Sequence, residues 1–193
     1  MMRRGVDDEL EGFPVPMVGF AAFSGTGKTT LLLQLLPLLK QAGLRISVVK
    51  HAHHAFDMDY PGKDSHRLRT AGADEMLVAG RCRVGLIREC RDNAEEPRLA
   101  EMLRLLDPSR IDLLLVEGFK AERFPKIELH RPSLGRPLLC TTDDSIIAVA
   151  SDAALADVPV DLPELPLNDP ASIADFILDF TGLVHNEVTV QSG

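Results

Sequence analysis

The chain has 193 residues, with 21 basic against 29 acidic side chains and a formal net charge of −8. This balance excludes the overall basic surface that nucleic-acid backbones and anionic membranes attract, so we expect neither as a partner. The length suits one α/β domain and is too short for two of ordinary size. The longest apolar run, residues 31–39, is far shorter than the ~20 residues of a membrane span. Three scattered cysteines without a Cys-x-x-Cys pair favour a reducing, cytoplasmic setting.

The predicted elements alternate between short apolar strands and helices. Such alternation implies crossover connections and a mostly parallel sheet in an α/β fold. Two further runs, 75–79 and 83–89, are separated by only three residues and predict a β-hairpin extension. We expect a polar N-terminal tail at 1–13, a single domain at 14–182 and a C-terminal tail at 183–193. In chain order, strands are predicted at 16–23, 45–50, 111–117, 126–130 and 145–151, and helices at 29–42, 64–71, 97–106 and 170–181.

A glycine-rich segment between the first strand and the first helix carries the strongest motif. Residues 22–30 are AFSGTGKTT, which fits G-x-x-x-x-G-K-[ST] with Ala22 in place of the first glycine. Backbone N–H groups of such a loop point at phosphate oxygens at a helix N-terminus. Lys28 would reach the β- and γ-phosphates, and the Thr29 hydroxyl would ligate Mg²⁺. The predicted nucleotide site comprises Ser24, Gly25, Thr26, Gly27, Lys28, Thr29 and Thr30.

A phosphate loop of this kind needs a second acid on a neighbouring strand, and the strand at 111–117 offers two. Asp112 and Glu117 stand at its opposite ends, ~16 Å apart at about 3.3 Å per residue, so only one can lie near the phosphates. Ligands of open α/β sheets bind beyond the carboxyl ends of the strands, which selects Glu117. Glu117 would orient water or hold magnesium through water, and Lys28 and Glu117 form the predicted catalytic pair. The alternative is a strand-end carboxylate bonded to a backbone amide.

Residues 48–67 hold four of the six histidines and raise the question of a metal site. A metallo-β-lactamase-type site requires H-x-H-x-D-H, which the sequence after His51 and His53 lacks. Barrels with an H-x-H pair take ~250 residues, more than this chain has. A smaller metal site remains open, because imidazole and carboxylate are good transition-metal ligands. Alternatively, Lys50, His51, His53 and His54 end a strand beside the phosphate loop and face an anionic ligand or partner.

Several segments together resemble one known family. They are GFAAFSGTGKTTLL, VVKHAHH, the run from Asp57 to Ala73, LLLVEGFK and IIAVASD, in order from about Val18 to Asp152. This combination is similar to the molybdopterin-guanine dinucleotide biosynthesis protein B (MobB) family. The resemblance implies a three-layer P-loop NTPase fold and a homodimeric GTP-binding accessory protein of molybdenum cofactor assembly. It would assist the guanylyltransferase that joins GMP to molybdopterin, and would meet other proteins of that pathway and molybdopterin itself.

The resemblance also suggests roles for the segment after the histidines. Family members often carry an acid directly after K-H-x-H-H, where this chain has Ala55, so Asp57 or Asp59 must serve, with Asp59 as a candidate metal ligand. The run from Asp57 to Ser65 is a candidate switch, to which Gly62 gives freedom to move. The alternative is a rigid surface connector. Candidate switch, partner or pterin contacts are Lys50, His51, His53, His54, Asp57, Lys63, Asp64 and Lys120.

The base and the reaction are less directly encoded. The chain has no N-K-x-D motif, so the expectation of guanine depends on the resemblance. Asp152 follows a predicted strand and either accepts hydrogen bonds from guanine or caps the next turn. The leading hypothesis is a GTP-binding adaptor with slow Mg²⁺-dependent GTP hydrolysis. A P-loop small-molecule kinase and a metal-delivery GTPase are the alternatives, and the hairpin is a candidate dimer contact.

Overall fold

We describe the protein from a computed structural model, which places residues 6–52, 56–90, 96–156 and 158–183. The chain divides into two compact units. The main unit comprises Met1–His51 and Arg98–Gly193, and the inserted unit comprises Ala52–Pro97. The expectation of one domain over 14–182 stays a prediction. Within the placed residues, no helix has the length and apolar character to cross a membrane.

The described residues contain eight strands and five α-helices. The strands are β1 (Met17–Ala21), β2 (Ile46–Lys50), β3 (Glu75–Ala79), β4 (Val84–Arg88), β5 (Leu113–Glu117), β6 (Lys126–His130), β7 (Ile146–Ser151) and β8 (Glu164–Pro166). The helices are α1 (Asp8–Glu11), α2 (Lys28–Gln41), α3 (Asp64–Thr70), α4 (Leu99–Leu103) and α5 (Pro170–Thr181). Short 3₁₀ turns occur at Pro108–Arg110, Pro132–Leu134 and Leu139–Thr141.

The main unit is built on a six-stranded sheet in the order β2-β5-β1-β6-β7-β8, and every pairing in it is parallel. The predicted mostly parallel sheet is confirmed. Parallel pairing places the carboxyl ends of all six strands at one edge of the sheet, where ligands of such folds bind. We call this the carboxyl edge.

Helices cover both faces of the sheet, as a three-layer fold requires. On β5, Leu113 and Leu115 belong to the apolar cluster with α2 and α5, whereas Leu114 and Val116 belong to the cluster with α1 and α4. All four side chains are fully buried. Burying one such side chain stabilises the fold by about 1.5–3 kcal/mol, so β5 anchors both helical layers.

Two elements were not expected from the sequence. The segment expected to be a polar tail contains α1, whose Leu10 is buried in the cluster of Leu99 and Met17. One turn of helix is too short to produce a visible period in the sequence. The proline-rich run near residue 160 contributes β8, which pairs only with β7 at the edge of the sheet. An edge position suits it, because proline has no N–H for a second ladder.

The inserted unit consists of α3 and the antiparallel hairpin of β3 and β4. Leu77 faces Leu86 and Ala79 faces Val84 across the hairpin. The N–H of Gly80 donates to the carbonyl of Arg83 at 2.8 Å and closes the turn. The predicted hairpin is confirmed, with its second strand beginning one residue later than expected.

At the opposite edge of the sheet, Asp112 and Arg45 form an ion pair. Oδ2 of Asp112 accepts from the backbone N–H and the Nε of Arg45 at 2.7 and 2.9 Å, and Oδ1 accepts from its terminal nitrogen at 2.7 Å. These hydrogen bonds lower the pKa of Asp112 from its usual 3.8 to about 2. Asp112 therefore joins the starts of β5 and β2, away from the phosphate loop.

This pKa predicts a specific loss of stability in acid. A carboxyl whose pKa is depressed by folding stabilises the protein above its unfolded pKa, and that stabilisation disappears as the pH falls from about 3.8 to about 2. In Asp112→Asn this pH-dependent contribution is absent. Urea unfolding between pH 2 and 7 should show two stability curves that separate above pH 4 and approach each other toward pH 2. A constant gap between the curves at every pH would contradict the assignment.

Candidate nucleotide-binding site

The carboxyl edge brings together most of the site residues predicted in the main unit. The phosphate loop follows β1, Lys50 and Glu117 end β2 and β5, and Asp152 follows β7. Lys50 and Glu117 are direct neighbours in the parallel register of β2 and β5. Residues distant in sequence therefore lie along one edge because their strands run in the same direction.

The phosphate loop has the backbone shape that its glycines permit. Gly25 and Gly27 have φ angles of 85° and 101°, in the left-handed region that glycine adopts at little cost. Thr26 is buried between them, and its hydroxyl donates to the carbonyl of Phe23 at 2.8 Å. A Cβ on Gly25 would meet no atom within 4 Å, so the loop is open at that point. Ser24, Thr29 and Thr30 are exposed beside the start of α2.

Lys28 stands where the phosphates would bind. Its Nζ donates to the carbonyl of Ala22 at 3.3 Å, across the loop. Burial is the main cause that lowers the pKa of Lys28, followed by the positive charge of Lys120, while Glu117 acts in the opposite direction. Lys50 lowers the pKa of Lys28 further. Three lysines therefore share this part of the edge with one carboxylate.

Glu117 is held by both its side chain and its backbone. Its Oε2 lies 3.1 Å from the Lys50 ammonium, and its carbonyl accepts from the N–H of His51 at 2.8 Å. The ring of His51 stacks on Phe119 with the centroids 4.9 Å apart. A Cβ at Gly118 would lie 2.6 Å from the Cβ of His51, so only glycine fits there. The predicted acid thus lies beside a cation, and its role in the site stays a prediction.

Asp152 lies at the same edge in an arrangement that the sequence did not indicate. Its Oδ2 accepts from the guanidinium of Arg131, whose Nε donates to the carbonyl of Thr26 at 3.0 Å. Arg131 therefore links Asp152 to the phosphate loop. Both roles expected for Asp152, a contact to guanine and a cap of the following turn, stay predictions. The sequence contains one indication of Arg131: it is a basic residue directly after the predicted strand 126–130.

Lys126 is a second residue that sequence reasoning missed. It is 1% exposed, and its ammonium donates to the carbonyls of Lys120 and Glu122 at 3.1 and 2.8 Å. The ammonium also lies 2.8 Å from Oδ2 of Asp143. These contacts fix the chain between β5 and β6, which carries Lys120. The signal was a lysine within an otherwise buried strand.

The remaining predicted residues of known position lie in the inserted unit. Arg69 is nearly buried there, 2.9 Å from Oδ1 of Asp57 and 3.7 Å from Oδ2 of Asp59. Oδ1 of Asp59 accepts from the hydroxyl of Ser65 at 3.0 Å. Asp57 and Asp59 of the candidate switch are thus engaged within their own unit. Lys63 and Asp64 are exposed at the start of α3.

Two of the predicted histidines, His53 and His54, lie outside the described residues. Among the residues that are placed, no three His, Cys, Asp or Glu side chains are grouped so as to hold a metal ion.

A glycine-rich loop between β1 and α2, in a parallel sheet with an acid ending the neighbouring strand, defines a P-loop NTPase fold. Residues 17–152 match the family model described as MobB, Molybdopterin guanine dinucleotide synthesis protein B. The chain belongs to this family, and the family predicted from its motifs is confirmed.

Individual relatives agree with the family match. The molybdopterin-guanine dinucleotide biosynthesis adapter protein of Escherichia coli (strain K12) is 46% identical over 167 residues, which cover 86% of this chain and 93% of that protein. The protein of the same description from Haemophilus influenzae is 39% identical over 163 residues, covering 84% and 88%. The crystal structure of Bacillus subtilis MobB matches with a TM-score of 0.64 at 28% identity, covering 85% of this chain and 96% of that one.

The contacts of Lys126 predict a large effect on stability. Lys126→Met keeps the length and apolar stem of the side chain and removes the ammonium, leaving two carbonyls and Asp143 without their cation. We expect the free energy of unfolding to fall by about 3 kcal/mol, the cost of breaking a buried charged network on one side. Urea denaturation followed by circular dichroism would measure it.

Arg123→Gln is the matched control, because it removes a cation from the same connection. Arg123 pairs with Asp144 while both side chains are about half exposed, at 48% and 64%. Exposed pairs contribute about 0–1 kcal/mol, so this variant should stay close to the parent. Equal stability of the two variants would contradict the role given to Lys126.

Proposed function

We propose that this protein is a GTP-binding adaptor with slow GTPase activity in the synthesis of molybdopterin guanine dinucleotide. The observation that carries the proposal is the phosphate loop at the carboxyl edge, with Lys28 beside Lys50 and Glu117. A positively charged edge beside backbone N–H groups at a helix start suits a chain of phosphates.

The residues at this edge suit a magnesium nucleotide. Lys28 would contact the terminal phosphates, and the exposed hydroxyl of Thr29 would ligate Mg²⁺, with Glu117 near it. The bound ion would add positive charge that stabilises the phosphates during hydrolysis. Glu117 would orient the attacking water. Its carboxylate is held 3.1 Å from the Lys50 ammonium.

For the base, we propose Asp152 as the residue that accepts from guanine. Arg131 donates to its Oδ2, and Oδ1 would accept from the N1 or N2 of the base. The same guanidinium holds the carbonyl of Thr26, so base recognition and loop position would depend on one arginine. Whether guanine is preferred over adenine is the first property to measure.

The adaptor role is supported by the relatives, two of which are described as molybdopterin-guanine dinucleotide biosynthesis adapter proteins. We propose the enzyme that attaches GMP to molybdopterin as the partner, in the cytoplasm. The inserted unit offers Asp57, Asp59, Lys63 and Asp64 as contacts for that enzyme or for the pterin, and Asp59 as a further candidate metal ligand. We also propose His51, His53 and His54 as partner or pterin contacts.

Calorimetric titration with GTP and ATP, each with Mg²⁺, tests the nucleotide proposal. The protein should bind GTP more tightly than ATP. Lys28→Ala should weaken GTP binding roughly 10- to 100-fold, since a hydrogen bond to a charged group contributes about 1.5–3 kcal/mol.

Lys40→Ala is the control from the other end of the same helix, where the ammonium donates to the carbonyl of Leu44. It should bind GTP as the parent does. A preference for ATP would overturn the guanine assignment and favour the phosphotransferase alternative, and equal binding by Lys28→Ala would remove the phosphate loop from the site.

We further propose that the protein is a homodimer that uses one face of the hairpin. The cross-strand pairs Leu77 with Leu86 and Ala79 with Val84 share that face. Leu77, Val84 and Leu86 are 62%, 65% and 41% exposed. Adjacent apolar side chains on a sheet surface are costly in water and typically mark a protein contact. A two-fold axis would bury the same face of two copies against each other.

Multi-angle light scattering tests the dimer. The parent should have twice the mass of the 21.1 kDa chain. The double variant Leu77→Glu with Leu86→Glu should run as a monomer, because burying four carboxylates in an apolar contact is strongly unfavourable. Leu33→Glu changes another leucine, 67% exposed on α2, and should remain dimeric. A monomeric parent, or a dimeric double variant, would refute the contact.

A further inference from the structure

The ring of Phe23 marks a part of the carboxyl edge that the proposed nucleotide site does not use. Phe23 is the second residue of the phosphate-loop motif, and its carbonyl accepts from the hydroxyl and the N–H of Thr26 at 2.8 and 3.4 Å. These bonds fix its backbone to the loop. Phe23 as a whole is half-buried.

Two cations lie over this one ring. The Nζ of Lys120 is 5.8 Å from the ring centroid, and the guanidinium carbon of Arg136 is 5.6 Å from it. Both side chains are exposed, and among the described residues neither pairs with a carboxylate. Like charges gathered on one ring repel each other, and an anion placed between them turns that repulsion into attraction.

The backbone of Lys120 is held in place by a buried side chain. The buried ammonium of Lys126 binds the carbonyl of Lys120 itself. Arg136 follows Gly135, whose φ of 59° ends a short 3₁₀ turn after β6. Fixed backbone positions lower the entropy lost when a ligand is bound.

The chemistry of the pair indicates the ligand. A guanidinium presents parallel N–H donors that match two oxygens of a phosphoryl group, and an ammonium adds a point charge. Lys120 is close enough to Lys28 for its charge to lower the pKa of Lys28. The ligand of the pair therefore lies next to whatever the phosphate loop holds.

We propose that Lys120 and Arg136, whose cations both lie over the ring of Phe23, form a second phosphoryl-binding site beside the phosphate loop. The phosphoryl group has two possible sources, the terminal phosphate of the nucleotide in the loop and a phosphate monoester on a second molecule. The inference deepens the proposed function by giving the site a place for a second phosphorylated substrate or a contact to the reacting phosphate. Its position rests on the proposed nucleotide site.

The experiment tests both possible sources of the phosphoryl group with the variants Lys120→Gln and Arg136→Gln. For the first source, the terminal phosphate of the nucleotide, GTP and GDP are titrated calorimetrically in parallel. Either variant should weaken GTP binding about tenfold and leave GDP binding unchanged. For the second source, phosphorus NMR follows phenyl phosphate binding to GDP-loaded protein. The parent should bind it, and both variants should lose most of that binding while their GTP and GDP affinities stay the same.

Phenyl phosphate is also titrated into Lys28→Ala without nucleotide, which separates this site from the phosphate loop. Binding there that is lost on adding Arg136→Gln supports the second site even if GTP fails to bind the parent, in which case only the proposed function falls. Arg123→Gln and Lys40→Gln remove cations elsewhere on the main unit and should behave as the parent. If Lys120→Gln and Arg136→Gln match these controls in every titration, the second site is refuted.

Discussion

Parallel pairing of β1 with β5 on one side and β6 on the other is the constraint on which the whole site depends. It brings the phosphate loop between Glu117 and Arg131, although these residues stand about a hundred positions from the loop in sequence. A reversed β5 would place Glu117 at the opposite edge, where Asp112 and Arg45 now lie. Both apolar faces of β5 are fully buried under helices, as an interior strand of such a sheet requires.

The site also requires close packing of the chain directly after β5 against the end of β2. Gly118 has a φ of 96° and meets the Cβ of His51, and the next residue, Phe119, has a φ of 52° despite its side chain. A bulky residue in the left-handed region is strained, and surrounding contacts must compensate for it. Here Phe119 is buried in the core and stacked on His51. The strained turn directs the chain from Glu117 to Lys120. The buried ammonium of Lys126 then fixes the backbone of Lys120 through its carbonyl.

Local sequence signals predicted the elements, whereas distant partners had to come from the structure. The last helix was predictable because Asp169 accepts from the N–H groups of Ala171 and Ser172 and Gly182 ends it in the left-handed region, all within a few residues. Glycines and a lysine in a fixed spacing likewise predicted the phosphate loop. The signals for Arg131 and Lys126 did not identify their partners. Arg131 bonds Thr26 across 105 positions, and Lys126 binds carbonyls in the connection between β5 and β6. For the same reason Asp152 was placed correctly after a strand without any indication of its cation.

The charges of the edge follow a pattern that the net charge of the chain conceals. The protein is acidic overall, yet its carboxyl edge gathers Lys28, Lys50, Lys120, Arg131 and Arg136. In both ion pairs there the carboxylate is the more buried partner, with Glu117 at 13% against Lys50 at 55% and Asp152 at 24% against Arg131 at 31%. In each of these two ion pairs the cation is therefore the more exposed partner, and the carboxylate holds it in position. On the proposed function, a phosphate would meet in Lys50 and Arg131 two cations that carboxylates already orient, so binding would require less ordering of those side chains.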